Sequence, residues 1–161
     1  MSILSRIREL SFSRLWRLGW IGIQNPLMVW PTFKATKKTM EICDALFGKA
    51  HHRNNSSNSF RHALWNILIC KNAFQVMNDG EKAISWAEKI TSLHEKLMPN
   101  NALEEAMDLH NNELGRIYFG ELENTSEEEI VHFLKLKMDE AIKISEVSEI
   151  QNHRHNLVYI V

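Results

Sequence analysis

The run from Asn58 to Met77 constrains this chain more than any other feature. It carries Phe60, Ala63, Leu64, Trp65, Ile67, Leu68, Ile69, Ala73 and Phe74 on nearly every face. A surface helix shows one apolar stripe, whereas a helix that is apolar all round must be enclosed by others. Only 6 Gly and 3 Pro interrupt the 161 residues, so long helices are the natural outcome. A chain of this length buries a sizeable core without disulfide or metal staples. The reading is therefore all-α: an irregular bundle of about six helices in a single domain, 1–161, built around this run. Within it, 1–30 is a basic N-terminal segment, 31–150 the helical core and 151–161 a tail.

Periodicity and punctuation set the other boundaries. Residues 3–18 place Ile3, Leu4, Ile7, Leu10, Leu15 and Leu18 at mostly helical spacing, with arginines between them. A second helix is predicted from an N-cap at Thr32 to Phe47, closed by Gly48. The loop His51-His52-Arg53-Asn54-Asn55-Ser56-Ser57 has no apolar residue and reads as exposed. Asn78-Asp79-Gly80 ends the central helix. A fourth helix spans Glu81 to Leu97 and stops before Pro99, and a fifth spans Ala102 to Phe119, closed by Gly120. Ser126-Glu127-Glu128-Glu129 is a capping-box signal for a sixth, predicted to reach about Ile144. The terminal Leu157-Val158-Tyr159-Ile160-Val161 is β-prone, but no second strand is evident to pair with it.

Charge and cysteine content exclude several classes. A formal net charge of −1 gives no reason to expect nucleic acid. Cys43 and Cys70 lie in apolar helical contexts with no partner at metal-like spacing, which implies reduced core residues of a cytoplasmic protein. No segment reaches the roughly 18 continuous apolar residues of a membrane span. Arginines break up the N-terminal apolar residues, unlike a signal peptide. The first forty residues set Arg6, Arg8, Arg14, Arg17, Lys34, Lys37 and Lys38 against Glu9 alone, while 121–150 is strongly acidic. With Trp16, Trp20 and Trp30, that basic end suits either a peripheral membrane or protein contact, or packing against the acidic sixth helix.

Three places put polar side chains on otherwise apolar helices. Asn58, Arg61, His62 and Asn66 share one face of the central helix. His94-Glu95 lies late in the fourth. Asp108, Asn111, Asn112 and Gly115 share a face of the fifth, beside His110 and Arg116. Together these supply what a hydrolytic centre uses: His62, His94, Glu95 and Asp108 as acid, base or metal ligands, and Asn58, Arg61, Asn112 and Arg116 to hold a substrate. A divalent metal such as Zn²⁺ or Mn²⁺ would take His62, His94 and Asp108. No His-Glu-x-x-His, CxxC, phosphate loop or nucleophile elbow is present. Plainer roles exist for the same residues. His62 can be satisfied by a carbonyl, and Arg61 can lock a neighbouring helix through Glu95 or Asp108. Leu103, Met107, His110, Leu114 and Ile117 make an apolar stripe that would leave Asp108 and Asn112 on a solvated face. His51, His52, His153 and His155 read as surface residues.

The blocks Asn58-Ser59-Phe60-Arg61-His62-Ala63-Leu64-Trp65, Leu93-His94-Glu95 and Met107-Asp108-Leu109-His110-Asn111-Asn112-Glu113-Leu114-Gly115-Arg116 resemble those of an uncharacterised bacterial all-helical domain family. That family is common in Bacteroidetes-type bacteria and is also seen at the C-termini of toxin-like proteins. The resemblance covers about residues 20–120 and implies that the three blocks meet in space. A fainter likeness is to helical metal-dependent phosphohydrolases of the HD superfamily, from which His94-Glu95 departs where that family has His-Asp. Two classes of function follow. One is a helical hydrolase, metal-assisted, acting on a phosphoester- or lipid-like substrate. The other is a non-enzymatic interaction module, or an accessory protein of interbacterial competition, whose buried polar network is structural.

Overall fold

A computed structural model of the chain describes residues 21–97 and 100–161. The predicted helix over 3–18, with Trp16, Trp20 and the four N-terminal arginines, lies outside them, as does Pro99. Five α-helices follow in order: α1 (Pro26–Phe47), α2 (Ser56–Met77), α3 (Gly80–Leu97), α4 (Ala102–Leu122) and α5 (Glu127–Asp139). A 3₁₀ turn, Ala50–His52, joins α1 to α2. After α5 come β1 (Ile142–Lys143), a 3₁₀ segment (Val147–Asn152) and β2 (Val158–Tyr159). The fold is a single all-α bundle with a minute sheet, as the patterning implies.

The all-round apolar run is the hub: α2 packs against α1, α3, α4 and α5. Phe60, Ala63, Leu64, Ile67 and Cys70 are fully buried along it. The tightest crossing is with α4. A Cβ on Gly115 would lie 2.4 Å from the Ala63 carbonyl oxygen and 2.9 Å from Asn66 Cβ. Only glycine lets the two backbones meet this closely. Burial pushes the thiols of Cys43 and Cys70 up to about 12, so both are inert core residues.

Several boundaries differ from expectation for identifiable reasons. Helix α1 begins at Pro26 rather than after Thr32, because proline suits the first helical turn. Thr32 and Thr36 instead accept the indole N–H of Trp86 and of Trp65, each at 2.9 Å, tying α1 to α3 and α2. Helix α4 runs through Gly120 to Leu122, and Lys71 Nζ donates to the carbonyls of Glu123 (2.9 Å) and Thr125 (2.7 Å) beyond its end. Helix α5 stops at Asp139, short of Ile144, since the following residues find a strand partner. Ile142 pairs in parallel with Val158 and Lys143 with Tyr159. The C-terminal residues thus do have a second strand, and Leu157 and Val158 are buried. Asn111 clamps that strand with both ends of its amide: Nδ2 donates to the Val158 carbonyl (2.8 Å) and Oδ1 accepts from the Val158 N–H (3.0 Å).

No helix among the described residues is long and apolar enough to cross a membrane.

Candidate functional site

The polar stripes of α2 and α4 face each other across the Gly115 crossing, with the end of α3 against them. Asp108, Asn111 and Asn112 are therefore buried, not solvated, and Ile117 from the expected apolar stripe is half exposed. The phase of α4 is set by what α2 offers it. Burying polar groups is tolerable only when each finds a partner, and the partners here form one continuous lattice.

That lattice has a direction. A guanidinium only donates, so Arg116 Nη1, 3.1 Å from Asn66 Oδ1, fixes which end of the Asn66 amide is oxygen. Asn66 Nδ2 then donates to the His62 carbonyl (3.0 Å) and to Asn112 Oδ1 (2.7 Å). Asn112 Nδ2 donates in turn to Glu95 Oε1 at 3.1 Å. Asn112 Oδ1 can therefore only accept from His62 Nδ1, 3.1 Å away, and His62 carries its proton there. Burial, and then the Arg61 charge, hold the His62 pKa well below its ordinary value, so the ring is neutral and Nε2 is bare. From the other side, Arg61 Nη2 donates to Nε2 at 2.8 Å, which agrees. Thr91, donating to Asn66 Oδ1 at 3.3 Å, completes the lattice from α3.

The bare Nε2 faces Asp108 Oδ1 at 3.1 Å. That oxygen is buried and has no hydrogen-bond partner. Asp108 Oδ2 accepts from Asn100 Nδ2 at 3.2 Å, an exposed residue of the turn before α4. Desolvation, and next the Glu95 charge, push the Asp108 carboxyl up to about 7; Glu95 is raised too, chiefly by burial. Glu95 Oε1 lies 3.8 Å from His62 Nδ1. One ligand atom from each of His62, Glu95 and Asp108 falls within 4.8 Å of the other two.

The predicted residues thus sort by distance from this centre. His62, Glu95, Asp108 and Asn112 form it, with Arg61 against it. His94 is half-buried and packs edge-on to Trp65 at 5.1 Å, so the ligand-type cluster takes Glu95 in its place. Arg116 acts one layer out, through Asn66. Asn58 is buried near the start of α2, its Oδ1 without a partner. Sequence reasoning missed the hub role of Asn66, the α3 contribution of Thr91, and His51. That histidine is fully buried, not a surface loop residue: Nε2 sits 2.9 Å from Asp44 Oδ1, and its carbonyl accepts from Arg61 Nε at 3.1 Å.

A family model described as "Domain of unknown function (DUF6973)" matches residues 19–142, which include all three blocks. No curated protein and no solved structure matches the chain.

Proposed function

We propose that this chain, which belongs to the DUF6973 family, is a metal-assisted helical hydrolase centred on His62, Asp108 and Glu95. One observation carries the reading: the unprotonated Nε2 of His62, which accepts from Arg61, lies 3.1 Å from the unpartnered Oδ1 of Asp108 in the interior. The Arg61 guanidinium already donates to that nitrogen, so a metal ion would take its place there. Ligand bonds of about 2.0–2.2 Å in a tetrahedral shell put neighbouring ligand atoms roughly 3.3 Å apart, so the two ligand atoms need little movement once Arg61 turns away. One imidazole and two carboxylates form an oxygen-rich set suited to Mn²⁺ or Zn²⁺. A metal held there would make a hydroxide nucleophile available near neutral pH for ester hydrolysis.

The chain's own groups do the rest. Asn112 orients His62 and Glu95 from behind, as outer partners orient metal ligands. Arg61 holds a cation beside the centre, where it would meet the anionic oxygen of a phosphoester- or lipid-like substrate. Entry would pass the turn before α4, where Asn100 covers the outer oxygen of Asp108.

A second reading has an observation in its favour. The side chains of His62 and Glu95 are only 2% and 3% exposed, and the amide lattice is nearly complete. A closed, satisfied network fixes helix packing without chemistry. The isosteric change Asp108→Asn separates the two, because it puts an N–H donor opposite the bare Nε2. We expect elemental mass spectrometry of the full chain, after reloading with Mn²⁺ or Zn²⁺, to find a stoichiometric metal that Asp108→Asn loses. Hydrolysis of p-nitrophenyl phosphodiesters or carboxylic esters should vanish with it. Equal metal content in both proteins, with no hydrolysis by either, would leave the network purely structural.

A further inference from the structure

We infer that Asp44, His51 and His52 form a second metal site, at the surface end of α1, which takes an imidazole-preferring dication such as Zn²⁺, Ni²⁺ or Cu²⁺. One ligand-type atom from each residue lies within 4.8 Å of the other two. Asp44 is exposed on the last turn of α1, His51 is buried and His52 is exposed, so the cluster spans the boundary with water. The two imidazole rings lie with centroids 4.0 Å apart, brought together by the 3₁₀ turn Ala50–His52. Two imidazoles and one carboxylate are a softer set than the inner cluster, which selects the later first-row metals.

His51 is the second, independent sign. Its side chain is fully buried, yet only one ring nitrogen is used: Nε2 meets Asp44 Oδ1 at 2.9 Å, and Nδ1 has no partner. Fully burying an imidazole to reach one exposed carboxylate is a poor structural device, since the second nitrogen goes unsatisfied. It is a good ligand device. Moving the ring proton from Nε2 to Nδ1 gives up the hydrogen bond to Asp44 and frees the Nε2 lone pair for a metal ion between them. Coordination widens that 2.9 Å separation to roughly 3.3 Å, a shift that the exposed Asp44 side chain can make. A metal here would also stiffen the turn that offers the His51 carbonyl to Arg61 Nε at 3.1 Å. The site thereby anchors the arginine of the inner cluster without touching that cluster.

The test titrates Zn²⁺ into the full chain against a chromogenic chelator, using wild type, His52→Ala, Asp108→Asn and the double variant. His52 is exposed, so its loss leaves the core intact. Loss of even an outer partner weakens metal sites about 10–100-fold. We therefore expect His52→Ala to weaken one Zn²⁺ by at least about tenfold, both alone and in the Asp108→Asn background, and Asp44→Asn to do the same. Equal Zn²⁺ binding with and without His52 overturns the outer site. The inner metal reading fails separately, if Asp108→Asn binds as much Zn²⁺ as wild type.

Discussion

Two groups of histidine and carboxylate stand on either side of Arg61, and they differ in how firmly the fold specifies them. At the inner group, Arg116, Asn66 and Asn112 dictate the His62 tautomer, so the unprotonated nitrogen faces Arg61 and Asp108. At the outer group, no partner of His51 Nδ1 dictates a tautomer, and Asp44, held only through His51 Nε2, has an exposed side chain. The inner group is preorganised and desolvated, which raises both of its carboxylic acids. The outer one is adaptable, because only one of its three residues is held by the core. The same residue types thus carry different information according to what lies behind them.

The glycine beside each group tests that difference most directly. Gly115 is required by packing, since a Cβ there would meet the Ala63 backbone at 2.4 Å. Backbone cannot yield as a flexible side chain does, so we expect Gly115→Ala to destabilise the fold by about 3 kcal/mol or more. Gly48, at the end of α1, has open space around its missing Cβ, but φ is +55°. Its ψ of −127° lies where only glycine is comfortable. There the cost is conformational, about 1–3 kcal/mol. Denaturant melts of the two variants check the order. A Gly48→Ala effect as large as that of Gly115→Ala would mean that the outer turn is held as rigidly as the inner crossing.

The difference between the groups also explains what the sequence made legible. The central helix, the three blocks and their convergence follow from periodicity, because an all-round apolar helix has nowhere to go but the middle. The phase of α4 does not follow. Its own residues support the stripe through Leu103, Met107 and Ile117. The decision belongs to α2, whose Asn66 lies 2.7 Å from Asn112 and forty-six positions away in the chain. His51 was illegible for a similar reason. A polar loop with no apolar residue looks solvated until the 3₁₀ turn folds one of its two histidines inward. The closing strand depended on a β1 partner that helix-like residues concealed.

A smaller effect at the inner group is read in metal-free protein. Asp108 is raised from 3.8 to about 7 in the fold, so its contribution is fully present at low pH and is lost as pH rises through about 7. His62 is depressed below 6.5, so its contribution is present above that pH and is lost as pH falls. Between pH 6.5 and 5.5 the two slopes have opposite sign, each at most about 1.4 kcal/mol per pH unit. Wild-type stability should therefore be nearly flat across that window with chelator present. Asp108→Asn removes its slope, so the variant should lose more stability than wild type as pH falls, by up to about 1 kcal/mol between those limits. Thermal melts at three pH values decide it. Parallel curves for the two proteins would mean that Asp108 is already ionised at neutral pH and faces the bare imidazole nitrogen as a charge.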